Sequence, residues 1–526
     1  MAQKHSTPIR GLVSAKSSPL FQGRFGRLFR SLPAASFGRT EADNLKNLAE
    51  LGAAMSASFD PPTDGKDPEE SGIPALYTYL GQFVDHDITF DPASSLQAQD
   101  DPDALTDFRT PAFDLDNIYG RGPDDQPYMY DGGSKFLLGA ELTGVPKGAT
   151  DLPRNSAEPA RALIGDPRND ENSIVSQLQG LFHRFHNRTV DDNPHLPFEE
   201  VQKLVRFHYQ YVLLNDFLPR IVNAASLADL KDDDGNYAKK KLEFFHWKNE
   251  PFMPVEFSVA AYRLGHSMIR PGYRLNDENL LPIFMTPEAK AKGFKDDLRG
   301  FRKMGDGRAI DWGRFIDTDL RVYDGTESEN KKRLQFAYRI DTSVVNPLSQ
   351  LPPSVAANPS SLAQRNLERG WRMGLPNGQH VARAMGVAPL DEDNILIGKG
   401  VDKPDKGEDP VPIRKVNKVF ENNCPLWTYV LAEAMHNQEE VKIPVKEKIT
   451  ITTPQLGQVG GRIVAEVFLG LMFGDNHSLL TLEPTWTPKA VSAQNKNGKY
   501  ELKDFVSYAL GQPMADPKKK SKATHA

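Results

Sequence analysis

Twelve histidines are scattered through this 526-residue chain, and two sit in settings that could do chemistry. The triplet Asp85-His86-Asp87 interrupts an otherwise apolar run, and Gln82 lies four residues before His86, on the same helical face. Neighbouring helical residues point about 100° apart, so the three side chains of the triplet cannot serve one site. A polar pair facing a cavity, with the flanking carboxylates serving other tasks, explains the pattern; taken alone, so does a surface cluster at a helix end. The second histidine, His266, lies in AYRLGHSMIR. Arg263, three residues earlier on the same face, could bind an anionic group beside a histidine ligand, and Gly265 leaves the space a bulky planar cofactor needs. A hydrogen-bonded core histidine fits the same residues. His183 and His186, in LFHRFHNR, read as helix–helix contacts.

Two further segments carry charge in compact patterns. In GDPRNDENS, Arg168 and Glu171 stand at the start of a helical run, where acids complement the helix dipole and capping accounts for Asp170 and Glu171. In RTPAFDLDNIYGRGP, Thr110, Asp114 and Asp116 have even separations, which in extended chain turn side chains to one side. With another carboxylate they could form an oxygen-only site suited to calcium, although a polar turn explains them in isolation. The segment is not an EF-hand loop, because Ile118 stands where a third oxygen ligand would be needed.

Composition narrows the alternatives. The chain is 39% hydrophobic and 25% charged, which is globular, and its formal net charge of −6 gives no reason to expect nucleic acid as a partner. The single cysteine, Cys424, excludes an intramolecular disulfide and a Cys-based zinc or iron–sulfur site, and its apolar setting reads as a buried structural thiol. No run approaches the 18 apolar residues of a transmembrane helix, and no secretory h-region is visible. The default compartment is therefore the cytoplasm, with non-classical export the alternative.

The elements that must position these residues are mostly helices. ALYTYLGQFVDHDI places Leu76, Tyr79, Leu80 and Phe83 at helical spacing, with Ser71 as candidate N-cap and Pro74 in an early turn. NSIVSQLQGLFHRFHNRTV and EFSVAAYRLGHSMIR predict two more helices, the latter stopped by Pro271. GGRIVAEVFLGLMFGD is apolar nearly all round and predicts a central buried helix. KEKITITT, residues 446–453, is the one short strand-like alternation, and residues 226–245 and 391–415 read as surface loops. The 40 Pro and 40 Gly punctuate many short helices and long loops. The expected class is mainly α, with few short strands. The expected organisation is an N-terminal basic arm over 1–40, one large domain over 41–515 and a basic tail over 516–526. The arm holds seven Lys/Arg and no acid.

The combination and order of these segments resemble the animal-type haem peroxidase superfamily, over about residues 40–485, with details most similar to bacterial members. YLGQFVDHDITF resembles the family's distal motif and AYRLGHSMIRP its proximal motif; TPAFDLDNIYG, GDPRNDEN, RNLERGWRMGLP, PLWTYVLAEA and VGGRIVAEVFLGL fall in the expected order. The resemblance implies a single large multi-helical haem peroxidase domain that binds haem b. It makes His266 the axial iron ligand and Asn366 the acceptor of its other ring N–H. Arg263 and Arg369 would pair with haem propionates. His86 would be the distal acid/base, Gln82 would line the peroxide and halide pocket, and Arg168 would supply positive charge near the leaving group. Asp85 and Glu171 match the carboxylates that form ester links to haem methyls. Asp87, Thr110, Asp114, Asp116 and the carbonyl of Ala112 would hold calcium. The triplet is thereby explained: haem edge, iron face and calcium. One departure is Asn172, which stands where myeloperoxidase has the Met of a third, sulfonium link; that link should be absent, and with it efficient chloride oxidation.

The implied activity is reduction of hydrogen peroxide and oxidation of halide, thiocyanate or phenolic donors through an oxoferryl intermediate. Neutral His86 would take a peroxide proton and return it to the departing oxygen. Two rivals belong to other classes. A fatty-acid dioxygenase of the cyclooxygenase branch needs a tyrosine three residues before the proximal histidine, where this chain has Arg263; Tyr262 is adjacent but about 100° away. A non-catalytic binding protein retaining the fold has no use for the intact set His86, Arg168, His266 and Asn366.

Overall fold

The structure is a computed structural model and describes residues 25–89, 110–143, 148–248, 250–356, 358–402, 409–488 and 499–511. Eight principal helices carry the fold: α1 (Glu41–Ala54), α2 (Leu76–Ile88), α3 (Ser173–Asp192), α4 (Phe198–Val212), α5 (Leu362–Arg372), α6 (Leu426–Met435), α7 (Gln458–Gly474) and α8 (Leu502–Ala509). Among the described residues the strands are short and pair two at a time. The molecule is mainly α, as expected.

The apolar stripe read from α2 is its buried face, with Leu76, Tyr79, Leu80 and Phe83 all packed inside. Phe83 stacks on Phe182 of α3, ring centroids 4.4 Å apart, and this fixes α2 against α3. Phe185, further along α3, stacks on Phe505 of α8 at 4.0 Å. The helix α7 is buried along nearly its whole length, as its all-round apolarity predicted. Its first turn has no side-chain cap of its own; instead the Glu433 carboxylate of α6 accepts from the main-chain N–H of Val459 and Gly460. Those donors are orphaned by helix geometry and must find partners elsewhere.

Several local expectations need correction. Ser71 does not cap α2. It lies in the strand Glu70–Pro74, where its hydroxyl donates to the Ala337 carbonyl, because pairing with Phe336–Tyr338 claims that segment first. Capping of α3 falls to Asn172, whose side chain accepts from Ile174 and Val175 N–H, rather than to Asp170 or Glu171. The run EFSVAAYRLGHSMIR is not a regular α-helix. It winds wide over Glu256–Ala260 and tight over Ala261–His266, with a break at Ala260 (φ −128°, ψ −77°). Alternation in KEKITITT matures into the strand Thr450–Pro454, antiparallel to Gln438–Lys442. The supposed loop 226–245 starts inside the short helix Ala224–Ala228 and buries Leu230, Leu242 and Phe245.

The basic arm is integrated from residue 25 onward. Phe25, Phe29 and Phe37 are buried, and Phe25–Gly26 pairs in parallel with Met253–Pro254. The buried carboxylate of Glu256 accepts from the N–H of Leu28 and Phe29, tying the arm to the segment that leads to His266. Residues 1–24 and the tail 516–526 lie outside the described residues. No described helix is long and apolar enough to cross a membrane, and Cys424 is a buried free thiol.

Two histidines of α3 are held neutral inside this core. Burial, helped by His186, lowers His183 to about 3, and burial lowers His186 to about 4. An unfolded chain protonates both near pH 6.5. Below that pH the unfolded state binds protons that the folded state does not, so stability falls as pH falls. Between pH 7 and 5 the loss is on the order of 2 kcal/mol per histidine, about 4 kcal/mol for the pair. Urea unfolding at the two pH values checks this; a midpoint that does not move would contradict it.

Candidate active site

A cavity of about 1100 Å³ opens between α2, the start of α3, the 256–266 segment and α5. Its walls include Gln82, Asp85, His86, Arg168, Glu171, Arg263, His266 and Arg369. Residues far apart in sequence are thus brought to one place.

On the α2 side, His86 is buried and its Nδ1 lies 2.7 Å from the Asn169 Oδ1. An amide oxygen only accepts, so the ring proton sits on Nδ1 and the Nε2 lone pair is left for the cavity. Nε2 is 3.7 Å from the Glu171 carboxylate. Gln82 donates to Glu171 and accepts from Asn172 at 3.2 Å, so its amide is held in the wall. Arg168 is pinned at the end of α2: it donates to the carbonyls of His86 (3.0 Å) and Thr89 (2.6 Å) and pairs with buried Asp166 (2.7 Å). Asn169, Asp166 and Thr89 were not singled out from sequence. The signal available was general: a histidine with one nitrogen committed to chemistry needs a fixed partner on the other.

On the opposite element, His266 has Asn366 of α5 at its Nδ1, 2.7 Å away. The partner is the expected one, but the amide is turned with Nδ2 toward the ring. A metal on Nε2 would leave the proton on Nδ1, and Asn366 would then have to present its oxygen, a half-turn of the amide. Burial, with repulsion from Arg263, lowers His266 to about 3 against the opposing pull of Asp85, so the imidazole is neutral and can ligate. Arg263 donates to the Ser258 carbonyl and comes within 3.8 Å of Asp85. The tight winding over Ala261–His266 stacks Arg263 and His266 on one edge more closely than an α-helix would. A Cβ on Gly265 would meet nothing within 4 Å, so open space adjoins His266, as a bulky planar group requires. Tyr262 also lines the cavity, but its hydroxyl donates to the Gly81 carbonyl at 3.3 Å.

The two flanking carboxylates are shifted in opposite directions. Burial opposes ionisation of Asp85, but Arg263, His86 and Arg168 outweigh it and hold its carboxyl below the ordinary range. For Glu171 burial wins over His86 and Arg168, and its carboxyl is raised.

Asp87 turns away from this cavity. It is fully buried, and its carboxylate oxygens lie with those of Asp114 and Asp116 so that one atom of each falls within 4.8 Å of the others. Three carboxylates this close repel unless protons or a cation neutralise them, and an oxygen-only donor set fits a hard cation. Thr110 and buried Ala112 stand on the same loop.

Residues 100–297 match the sequence profile of the animal haem peroxidase family, a stretch that includes Arg168, Glu171 and His266. The chain is 27% identical over 223 residues to the peroxidasin homologue of Mus musculus, covering 41% of this chain and 13% of that protein. It thus spans a small part of the length of such curated relatives. Among solved structures, peroxidase A from Dictyostelium discoideum has the same fold, with a TM-score of 0.55, 16% identity and coverage of 88% of this chain and 89% of that one. A fatty acid alpha-dioxygenase from Arabidopsis thaliana is also similar in fold, with a TM-score of 0.52, 14% identity and coverage of 91% and 76%.

One loop closes the wall beside Glu171. Gly300 N–H donates to the Glu171 carbonyl at 2.9 Å and Phe301 N–H to the Asp170 carbonyl at 2.6 Å. A Cβ on Gly300 would overlap the Asp170 carbonyl oxygen, and backbone cannot move aside cheaply. Gly300→Ala should therefore cost about 1–3 kcal/mol. Gly180→Ala is the control: its Cβ would meet nothing, and alanine inside α3 should stabilise by about 0.5–1 kcal/mol. Denaturant unfolding of the two variants should give opposite signs; a neutral Gly300→Ala would contradict the close approach.

Proposed function

The chain is a member of the animal-type haem peroxidase superfamily, and from that premise we propose that it is a haem peroxidase that reduces hydrogen peroxide at the expense of a small donor. One observation carries the reading. His86 and His266 line the same cavity, and each has an asparagine 2.7 Å from Nδ1: the Asn169 oxygen leaves the Nε2 lone pair of His86 to the cavity, and a half-turn of the Asn366 amide would do the same for His266.

The residues present fit haem. His266 would ligate the iron, with Asn366 fixing the ring. Arg263 and Arg369 would hold the propionates, and Asp85 and Glu171 would stand at the edge, available for ester links to haem methyls. When bound, haem supplies the redox chemistry that cleaves the peroxide O–O bond and then oxidises the donor. The chain supplies proton transfer and electrostatics. Nε2 of His86 accepts a proton from peroxide and returns it to the oxygen that leaves as water. The guanidinium of Arg168, fixed by two carbonyls and Asp166, supports charge building on that oxygen; a preorganised donor of this kind contributes on the order of 3–4 kcal/mol. Gln82 lines the pocket in which peroxide and a halide or thiocyanate would sit, and phenols are the alternative donors. Asn172, capping α3 through its side chain, offers no thioether for a sulfonium link. Tyr262, committed to the Gly81 carbonyl, gives no support to a dioxygenase reading.

His266→Ala should lose haem or its normal iron spectrum, while His86→Ala should keep haem and react with peroxide at least ~100-fold more slowly. Stopped-flow absorption reads both, and full haem loading with native activity in His266→Ala would overturn the ligand assignment. Acid–solvent extraction of the same wild-type sample reads the esters: haem that comes away freely would remove them from the account.

We also propose that Asp87, Asp114 and Asp116, with Thr110 and the Ala112 carbonyl, hold one calcium ion behind α2. Metal analysis of protein purified without chelator should find one equivalent, lost in Asp114→Ala. Calcium at background level in the wild type would contradict the site.

A further inference from the structure

The hydrogen bond that fixes the ring of His86 does not end at Asn169. Asn169 Nδ2 donates to Gln179 Oε1 at 2.7 Å, and the Gln179 Nε2 lies 2.9 Å from His183 Nε2. Asn169 and Gln179 are fully buried and His183 is 1% exposed. The chain His86–Asn169–Gln179–His183 therefore runs from the cavity wall into the core between α2 and α3. The sequence reads His183 as a packing residue, and its ring is held in the core, stacked on Phe136 at 4.3 Å with 7° between planes.

Each amide has one accepting and one donating face, so such a chain has only two consistent polarities. In the polarity seen here, the Gln179 NH2 group donates to His183, Gln179 accepts from Asn169, and Asn169 accepts from His86. His86 then carries its proton on Nδ1 and has a free lone pair on Nε2. In the reverse polarity both amides are turned, Asn169 donates to His86, and the proton of His86 sits on Nε2, where it blocks proton acceptance. At His266 the Asn366 amide stands in the opposite sense, with Nδ2 toward the ring. Asn169 differs because it is held at both ends.

We propose that His183 is a positioning residue that sets the tautomer of His86: by accepting from Gln179 it holds both amides so that Asn169 offers oxygen to Nδ1. This role requires a neutral His183 with its proton on Nδ1; burial keeps the ring neutral well below physiological pH, and the Leu137 backbone hydrogen-bonds to the ring. The inference rests on His86 as the group that accepts the peroxide proton.

The test uses haem-loaded protein and the variant His183→Phe, which keeps an aromatic ring against Phe136 and removes the acceptor. Two readouts are taken: the second-order rate constant with hydrogen peroxide, and the C–O stretching frequency of the ferrous carbon monoxide complex. That frequency falls when a neighbouring N–H donates to bound carbon monoxide. The expected result is a peroxide reaction about 10- to 100-fold slower, up to the lower end of the ~10²–10⁴-fold range assigned to acid–base catalysis. It comes with a lower C–O frequency and a retained melting temperature. Adding Asn169→Asp to His183→Phe should restore much of the rate, because a carboxylate only accepts and returns the proton to Nδ1. An unchanged rate and C–O frequency in His183→Phe would overturn the proposal. So would a slower rate with an unmoved frequency and no recovery in the double variant, which is what mere loss of packing gives. If His86→Ala reacts as fast as wild type while the frequency still moves, the base assignment fails and the tautomer control stands.

Discussion

The Glu70 carboxylate, buried between Arg270 and Arg333, joins the two walls of the cavity. Arg270 reaches one oxygen at 2.6 Å, and Arg333 reaches both, at 2.6 and 2.7 Å. Glu70 begins the strand that leads into α2 and so toward His86; Arg270 lies four residues beyond His266. Burial opposes this charge, but the two guanidinium groups outweigh it and keep the carboxyl below its usual range. Removing one partner of such a buried group leaves an uncompensated charge, at a cost of about 3–5 kcal/mol. The strand pairing of Glu70–Pro74 with Phe336–Tyr338 runs beside the same ion cluster. The spacing between the walls is thus set by a few short-range contacts that join segments about 200 residues apart.

Within that frame, one helix distributes three adjacent side chains to three environments. The 100° step of α2 sends Asp85 to the cavity edge beside Arg263, His86 to the cavity wall, and Asp87 into a separate carboxylate cluster. Each is fixed by partners from a different part of the chain, so the helix is anchored on several sides at its functional end. The histidines follow one rule: the tautomer of a neutral imidazole is decided by the group at its other nitrogen. The same rule covers His86 with Asn169 and His266 with Asn366, and it reaches His183 through two amides.

Much of this was legible in the sequence, and the reasons differ by element. The buried face of α2 and the all-round burial of α7 were legible because the pattern of apolar residues is a direct record of which faces are buried. The open space beside Gly265 was legible because a missing side chain next to a histidine leaves room there. Ser71 misled because a hydroxyl before a helical run suits either a cap or a strand, and the strand partner lies about 265 residues away. The wide and tight winding before His266 left no trace, since its residues are ordinary helix formers. Asn169 and Gln179 were missed for a related reason: an amide in a polar segment or on a helix has no distinctive spacing. The orientation of the Asn366 amide is likewise not a property of sequence. The convergence of Asp87 with Asp114 and Asp116 was implied by resemblance alone, because spacing gave only the second half of the cluster.

The central claim is that the cavity between His86 and His266 holds one haem ligated by the protein. The most direct measurement is a haemin titration of the haem-free protein followed by absorption spectroscopy, with one equivalent of peroxide added at the end point. The account predicts saturation at one haemin per chain, a Soret band that sharpens to saturation and a prompt shift of that band on adding peroxide. Binding without a stoichiometric end point, or a Soret band indifferent to peroxide, would contradict it.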